Sequence, residues 1–161
     1  MAQRLLKLFF ILVLIAYVLL LIRLIVFKYP DEMTLDILRN WSLDDVLRQA
    51  RTANFTPFLT IRRSLMYRQF NSVNLLIYNV LAFVPLGLML PTIIWRRWRW
   101  LLVPMIGLLV SVGLEAIQLV TTLGEADVDD VILNLSGTIM GYVLFAITVR
   151  VGNWRRRHNL I

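Results

Sequence analysis

The chain contains no cysteine and a single histidine, His158. Without cysteine there is no disulfide, no thiol nucleophile and no thiolate metal site. One histidine beside a basic terminus leaves almost no material for a structural zinc site or a Ser-His-Asp triad. Acidic residues are scarce too, 10 against 17 Lys and Arg, giving a net charge of +7. Internal repeats and low-complexity tracts are absent from the 161 residues, a length that suits one domain.

Apolar residues are what the chain has in excess. They make up 59% of it, above the ~45–50% of ordinary soluble domains. They lie in four runs separated by short charged clusters. Residues 5–27 are apolar except for Lys7 and Arg23, 73–95 and 131–149 carry no charge, and 100–122 carry only Glu115. A helix needs about 20 apolar residues to cross the hydrocarbon core. Lys7 and Arg23 sit near enough to the ends of their run to snorkel. No small-residue cleavage site follows the first run, so a retained helix is expected. The expected fold class is an all-α membrane protein: one domain over 1–161, with four transmembrane helices and a loop at 28–72.

Charge orients these spans. Arg4 and Lys7 precede the first, Arg96, Arg97 and Arg99 join the second to the third, and Arg150, Arg155, Arg156 and Arg157 follow the fourth. By the positive-inside rule this side is cytoplasmic, with both termini inside. Glu125, Asp127, Asp129 and Asp130 between the third and fourth spans belong outside. The 28–72 loop must then also be outside, although its seven basic residues (Lys28, Arg39, Arg48, Arg51, Arg62, Arg63, Arg68) exceed its five acidic ones. The turn from Trp95 to Trp100 weighs more, because its arginines sit at helix ends and its tryptophans are interfacial anchors. The positive charge is therefore a topology signal and no nucleic-acid footprint. It favours anionic lipid on the inner leaflet.

Within the loop, Ser42-Leu43-Asp44-Asp45 reads as a capping box with Asp in place of Glu. It opens a helix with Leu43, Val46, Leu47 and Ala50 on one face, an amphipathic helix expected at the outer interface or over the bundle mouth. Asn54-Phe55-Thr56-Pro57-Phe58 then reads as an ordered turn with two aromatics facing apolar surroundings.

Polar groups inside the spans carry the functional information, because each is costly in hydrocarbon. Ser111, Glu115 and Gln118 share an arc of roughly 60° on the third helix. Asp127, Asp130, Asn134, Gly137 and Gly141 share roughly 80° on the fourth, where the glycines permit close helix contact. Asp129 points away from that stripe and is expected to be solvated. Asn79 stands alone on the second helix. At ~1.5 Å per residue, Asn79, Glu115 and Asn134 all lie in the outer half of the bilayer. One polar pocket opening outward is expected, lined by Asn79, Glu115, Gln118, Asp130 and Asn134, with Asp127 at its rim. Glu115 and Asn134 should face each other. Glu115, Asp127 and Asp130 are hard oxygen donors, compatible with a divalent cation such as Mg²⁺ or Ca²⁺. The bland readings are interhelical hydrogen bonds for Asn79 and Gln118, and a tolerated kink at Pro85-Leu86-Gly87.

Four spaced segments carry a resemblance. They are Asn54-Phe55-Thr56-Pro57-Phe58, then Asn79 through Phe83 and Pro85 to Gly87, then Ser111 through Glu115 to Gln118. The last is Gly124 through Asp127, Asp130, Asn134 and Gly137 to Gly141. Together, over 54–141, they resemble the VanZ-like family of small bacterial membrane proteins. Where many relatives have a basic residue just before the Asp127-type position, this chain has Glu125 and Ala126. The resemblance implies a bacterial cell membrane and a role in resistance to the lipoglycopeptide teicoplanin; it implies no mechanism.

Three function classes fit. One is a binder or remodeller that takes an amphipathic ligand from the outer leaflet: a membrane lipid, a lipoglycopeptide or a lipid-linked envelope precursor. The second is a membrane enzyme acting on a lipid-linked substrate with a divalent cation, although no dedicated nucleophile is visible. The third, a transporter, is disfavoured by four short spans without inverted repeats. The first is the reading the residues favour.

Overall fold

A computed structural model describes residues 2–27, 30–67 and 70–158. Lys28 and Arg68 lie outside the described residues, as do the side chains of Arg156, Arg157 and His158. The helices are α1 (Ala2–Ile25), α2 (Asp31–Arg39), α3 (Leu43–Thr52), α4 (Leu59–Tyr67), α5 (Phe70–Ile93), α6 (Arg99–Thr121) and α7 (Val128–His158). A single 3-10 turn, Arg96–Trp98, joins α5 to α6. Among the described residues there is no strand, only one isolated parallel bridge between Asn54 and Asp127.

Among the described residues four helices are long and apolar enough to cross a membrane: Arg4–Ile25, Ser72–Ile93, Arg96–Thr121 and Val128–Arg155. They coincide with the four apolar runs. Their outward faces stay apolar; Leu5, Phe9, Leu12 and Leu24 of α1 are each more than half exposed. A helix that is apolar all round yet largely unburied by its own chain has lipid as its natural surroundings.

The core forms where α5, α6 and α7 meet, closed by the end of α1. Leu21, Val26, Phe83, Leu86, Leu90, Val103, Leu114 and Leu123 are its buried members. Glycine sets the closest contact. A Cβ on Gly137 would lie 2.1 Å from the carbonyl oxygen of Val80, and one on Gly141 would lie 2.1 Å from that of Val84. Gly87 meets Thr138 in the same way, at 2.0 Å. No side chain fits in these gaps, so α5 and α7 touch backbone to backbone, as small-residue pairs allow. From Val80–Gly137 to Val84–Gly141 the contact advances by four residues on both helices, so α5 and α7 run parallel. Numbers rise on α7 as they fall on α6, from Ser111 opposite Asn134 to Gly107 opposite Thr138, so these two run antiparallel.

Residues 30–67 of the loop are more helical than the sequence suggested, with α2 and α4 flanking the expected α3. The capping box is present. Ser42 Oγ accepts the Asp45 N–H at 3.2 Å and donates to Asp45 Oδ2 at 2.6 Å. That hydroxyl, and then Arg48, hold the Asp45 carboxyl below the usual carboxylate range. Leu43 and Leu47 remain exposed and no residue of α3 is buried. Trp41 ties the loop to the bundle, its Nε1–H donating to the Val120 carbonyl at 2.7 Å. Arg23 reaches beyond the end of α1 to Asp31 at 2.8 Å, the outward stretch expected of a basic residue near a span end.

Candidate functional site

α6 ends at Thr122, which takes the left-handed conformation (φ 58°), and a tight segment leads into α7. Asp127 stands immediately before α7 and acts as its N-cap: its Oδ1 accepts the Asp129 N–H at 2.8 Å. The same carboxylate reaches out of its own helix. Oδ1 accepts from Asn54 Nδ2 at 2.8 Å, and Oδ2 accepts from Thr60 Oγ1 at 2.5 Å. The Asp127 N–H donates to Glu115 Oε2 at 2.9 Å. Backbone bonds fasten the junction further, from Asn54 N–H to Ala126 O at 3.0 Å and from Val128 N–H to Asn54 O at 2.9 Å. Asp127, expected at a pocket rim, is thus the hub joining α4, α6 and α7.

Asp129 overturns the expectation that it is solvated. It is fully buried, at 0% exposure. Its Oδ1 accepts the Phe58 N–H at 2.5 Å and its Oδ2 accepts the Ile61 N–H at 3.0 Å. Phe58 immediately precedes α4 and Ile61 lies in its first turn, where orphan N–H groups need acceptors and negative charge is favoured. The sequence did hold a clue. Pro57-Phe58-Leu59 supplies no Ser, Thr, Asp or Asn to cap α4, which leaves its first N–H groups open to an acceptor from another part of the chain. Phe55 and Phe58 themselves point outward, 71% and 60% exposed, and do not pack within the protein.

Deeper in the bundle the polar side chains pair across helices. Asn79 Nδ2 donates to Asp130 Oδ1 at 2.5 Å, and Asn134 Nδ2 donates to Ser111 Oγ at 2.9 Å. Thr138, buried one turn below Asn134, donates back to the Asn134 carbonyl at 3.1 Å. Asn79, Ser111, Glu115, Asp130 and Asn134 therefore all gather on the first half of α7. Two details differ from expectation. Asn134 meets Ser111, one turn deeper on α6 than Glu115. Gln118 leaves the group and donates to the Ile25 carbonyl at the end of α1, at 3.3 Å, beside Gly124. The reason is register: Gln118 falls where α7 is only beginning, so α1 is the neighbour within reach. Gln118 Oε1 and Asn134 Oδ1 are buried with no hydrogen-bond partner among the described residues.

Among the described residues no group of three or more acidic or imidazole side chains is arranged to hold a metal ion. Glu115, Asp127 and Asp130 act here as three separate acceptors of protein N–H groups.

Above the junction lies a cavity of about 330 Å³, lined by Asn54, Thr56, Thr60, Arg63, Glu125 and Asp127 among others. Of the pocket residues expected from sequence it contains only Asp127. Apart from Glu125, Ala126 and Asp127, its walls come from residues 52–63 of the loop, a region the helix-face argument did not reach.

A bundle of four apolar helices with polar groups gathered at one end defines a multi-pass helical membrane protein. Residues 14–149 match the family described as VanZ/LLP1, and the chain belongs to that family. The four segments that carry the resemblance lie inside the match and converge on the start of α7. No curated protein and no solved structure matches the chain.

Proposed function

We propose that the protein binds an amphipathic, lipid-tailed ligand of the bacterial cell envelope at the end of the bundle that carries the loop helices. In this reading that end faces outward and both termini are cytoplasmic. The ligand is a lipoglycopeptide of the teicoplanin kind or a lipid-linked envelope precursor, and the outcome is resistance.

One observation carries the reading. The 330 Å³ cavity has polar walls, including Arg63, Glu125 and Asp127, and Phe55 on its lining is largely exposed. A polar recess edged by an exposed aromatic at the boundary of an apolar bundle is complementary to a molecule with a polar head and an apolar tail. Asp127 and Asp129 make the recess rigid, because each holds two elements together through its carboxylate.

The test is survival of a sensitive bacterial host under teicoplanin, with protein level in the membrane measured alongside. Arg63→Gln and Phe55→Ser both change exposed residues and should leave the fold intact. Each is expected to lower resistance, with loss of a charged contact weakening binding roughly tenfold. Full resistance from both variants at normal level would overturn the proposal.

A further inference from the structure

The opposite end of the bundle has a different character. All ten acidic residues lie between positions 31 and 45 or 115 and 130. None accompanies Arg96, Arg97, Arg99, Arg150 and Arg155. Among the described residues the ion pairs are Arg23–Asp31 and Arg48–Asp45, so no carboxylate neutralises this arginine cluster.

The cluster surrounds a built cleft. A cavity of about 520 Å³ separates the start of α6 from the last turns of α7, lined chiefly by Arg96, Arg99, Tyr142, Phe145, Arg150 and Asn153. Arg99 is held in place there. Its Nε–H donates to the Ile94 carbonyl at 3.0 Å, and its guanidinium carbon lies 5.3 Å from the centre of the Phe145 ring. Its remaining N–H donors have no protein acceptor among the described residues. Arg97, next but one in sequence, lies over Trp98 at 5.5 Å and does not line the cleft. A second, apolar hollow of about 320 Å³ adjoins it, lined by Ile147, Arg150, Val151 and Trp154. Arg150 is common to both.

We infer that these two hollows together bind one anionic glycerophospholipid, its phosphodiester among Arg96, Arg99 and Arg150 and an acyl chain along Ile147, Val151 and Trp154. The guanidinium fork matches the paired oxygens of a phosphate, and a fixed fork loses less freedom on binding. An ammonium headgroup is disfavoured, because three cations repel it and none of the described residues lining the cleft carries a carboxylate to receive it. The apolar hollow supplies what a free anion would not use. Basic pockets between spans at the membrane surface are suited to such headgroups. The inference is independent of the ligand proposed at the loop end.

The experiment uses the full chain in detergent micelles, titrated with phosphatidylglycerol or phosphatidylcholine and followed by native mass spectrometry and thermal unfolding. Phosphatidylglycerol is expected to bind roughly tenfold tighter or better, with Arg99→Gln and Arg150→Gln each removing about that factor. Arg99→Lys keeps the charge but loses the fork, and should also weaken binding. Asn153→Asp, at an exposed position safe for the fold, should abolish the preference by placing a carboxylate in the cleft. Arg97→Gln should change nothing. An equal loss from Arg97→Gln and Arg150→Gln would reduce the site to diffuse surface charge. Equal affinity for phosphatidylcholine, or displacement of phosphatidylglycerol by millimolar inorganic phosphate, would also overturn the inference, the latter in favour of a free-anion site.

Discussion

The carboxylate of Asp129, on α7, accepts the backbone N–H of Phe58, 71 residues earlier, at 2.5 Å. A helix that lacks its own cap is thereby capped by another helix. The loop is held to the bundle by the N-terminal turn of α4, and the recess proposed as a ligand site depends on that attachment.

Asp129→Ala should detach α4. It leaves the N–H groups of Phe58 and Ile61 without their acceptor, at a cost of about 2 kcal/mol or more. Thermal unfolding in detergent should show the loss, and limited proteolysis should open the chain at Arg62 and Arg63. Asp129→Asn keeps one acceptor oxygen and should fall between the two. Unchanged stability and protease resistance in the alanine variant would show that α4 docks by other means.

Gly137→Ala and Gly141→Ala should destabilise the bundle by about 1–3 kcal/mol each, because a methyl group would enter a backbone contact. Gly113 and Gly152 provide the control, since a Cβ there meets nothing within 4 Å. Alanine at those two positions should be neutral or mildly stabilising, given its better helix propensity. Comparable melting temperatures for all four variants would contradict the close α5–α7 packing.

Register can be tested by cross-linking. Cysteines replacing Ser111 and Asn134 should form a disulfide faster than cysteines replacing Glu115 and Asn134, since bridging requires Cα separations below about 7 Å. In the same cysteine-free background, Thr52→Cys and Glu125→Cys should react with an impermeant thiol reagent in intact cells. Arg97→Cys should not. Labelling only of Arg97→Cys would invert the proposed orientation.

Glu115→Gln and Asp130→Asn separate packing from chemistry. An amide oxygen can still accept the Asp127 N–H or the Asn79 side-chain N–H, so expression and melting temperature should stay near those of the parent chain. Lost teicoplanin resistance in such well-folded variants would assign the charges a role in ligand binding. Retained resistance would leave them as helix-joining groups alone.

Span number, the α3 cap and the small-residue face of α7 could all be read from sequence, because each depends on neighbours within a few residues. Hydropathy is summed over one turn after another, Ser42 and Asp45 are one turn apart, and Gly137 and Gly141 share a face through helix periodicity. The residues that converge at the start of α7 were also legible as a set, since polar groups in an apolar span need partners. Their pairing was not. Ser111, Glu115 and Gln118 share one arc, yet the first two meet α7 and its N-terminal junction while Gln118 meets α1. An arc gives a direction around one helix; the partner depends on how far the facing helix is shifted along its axis, which the glycine contacts and the start of α7 decide. Asp129 looked solvated because α4 was invisible as its neighbour, and only the folded chain brings Phe58 and Ile61 to its carboxylate.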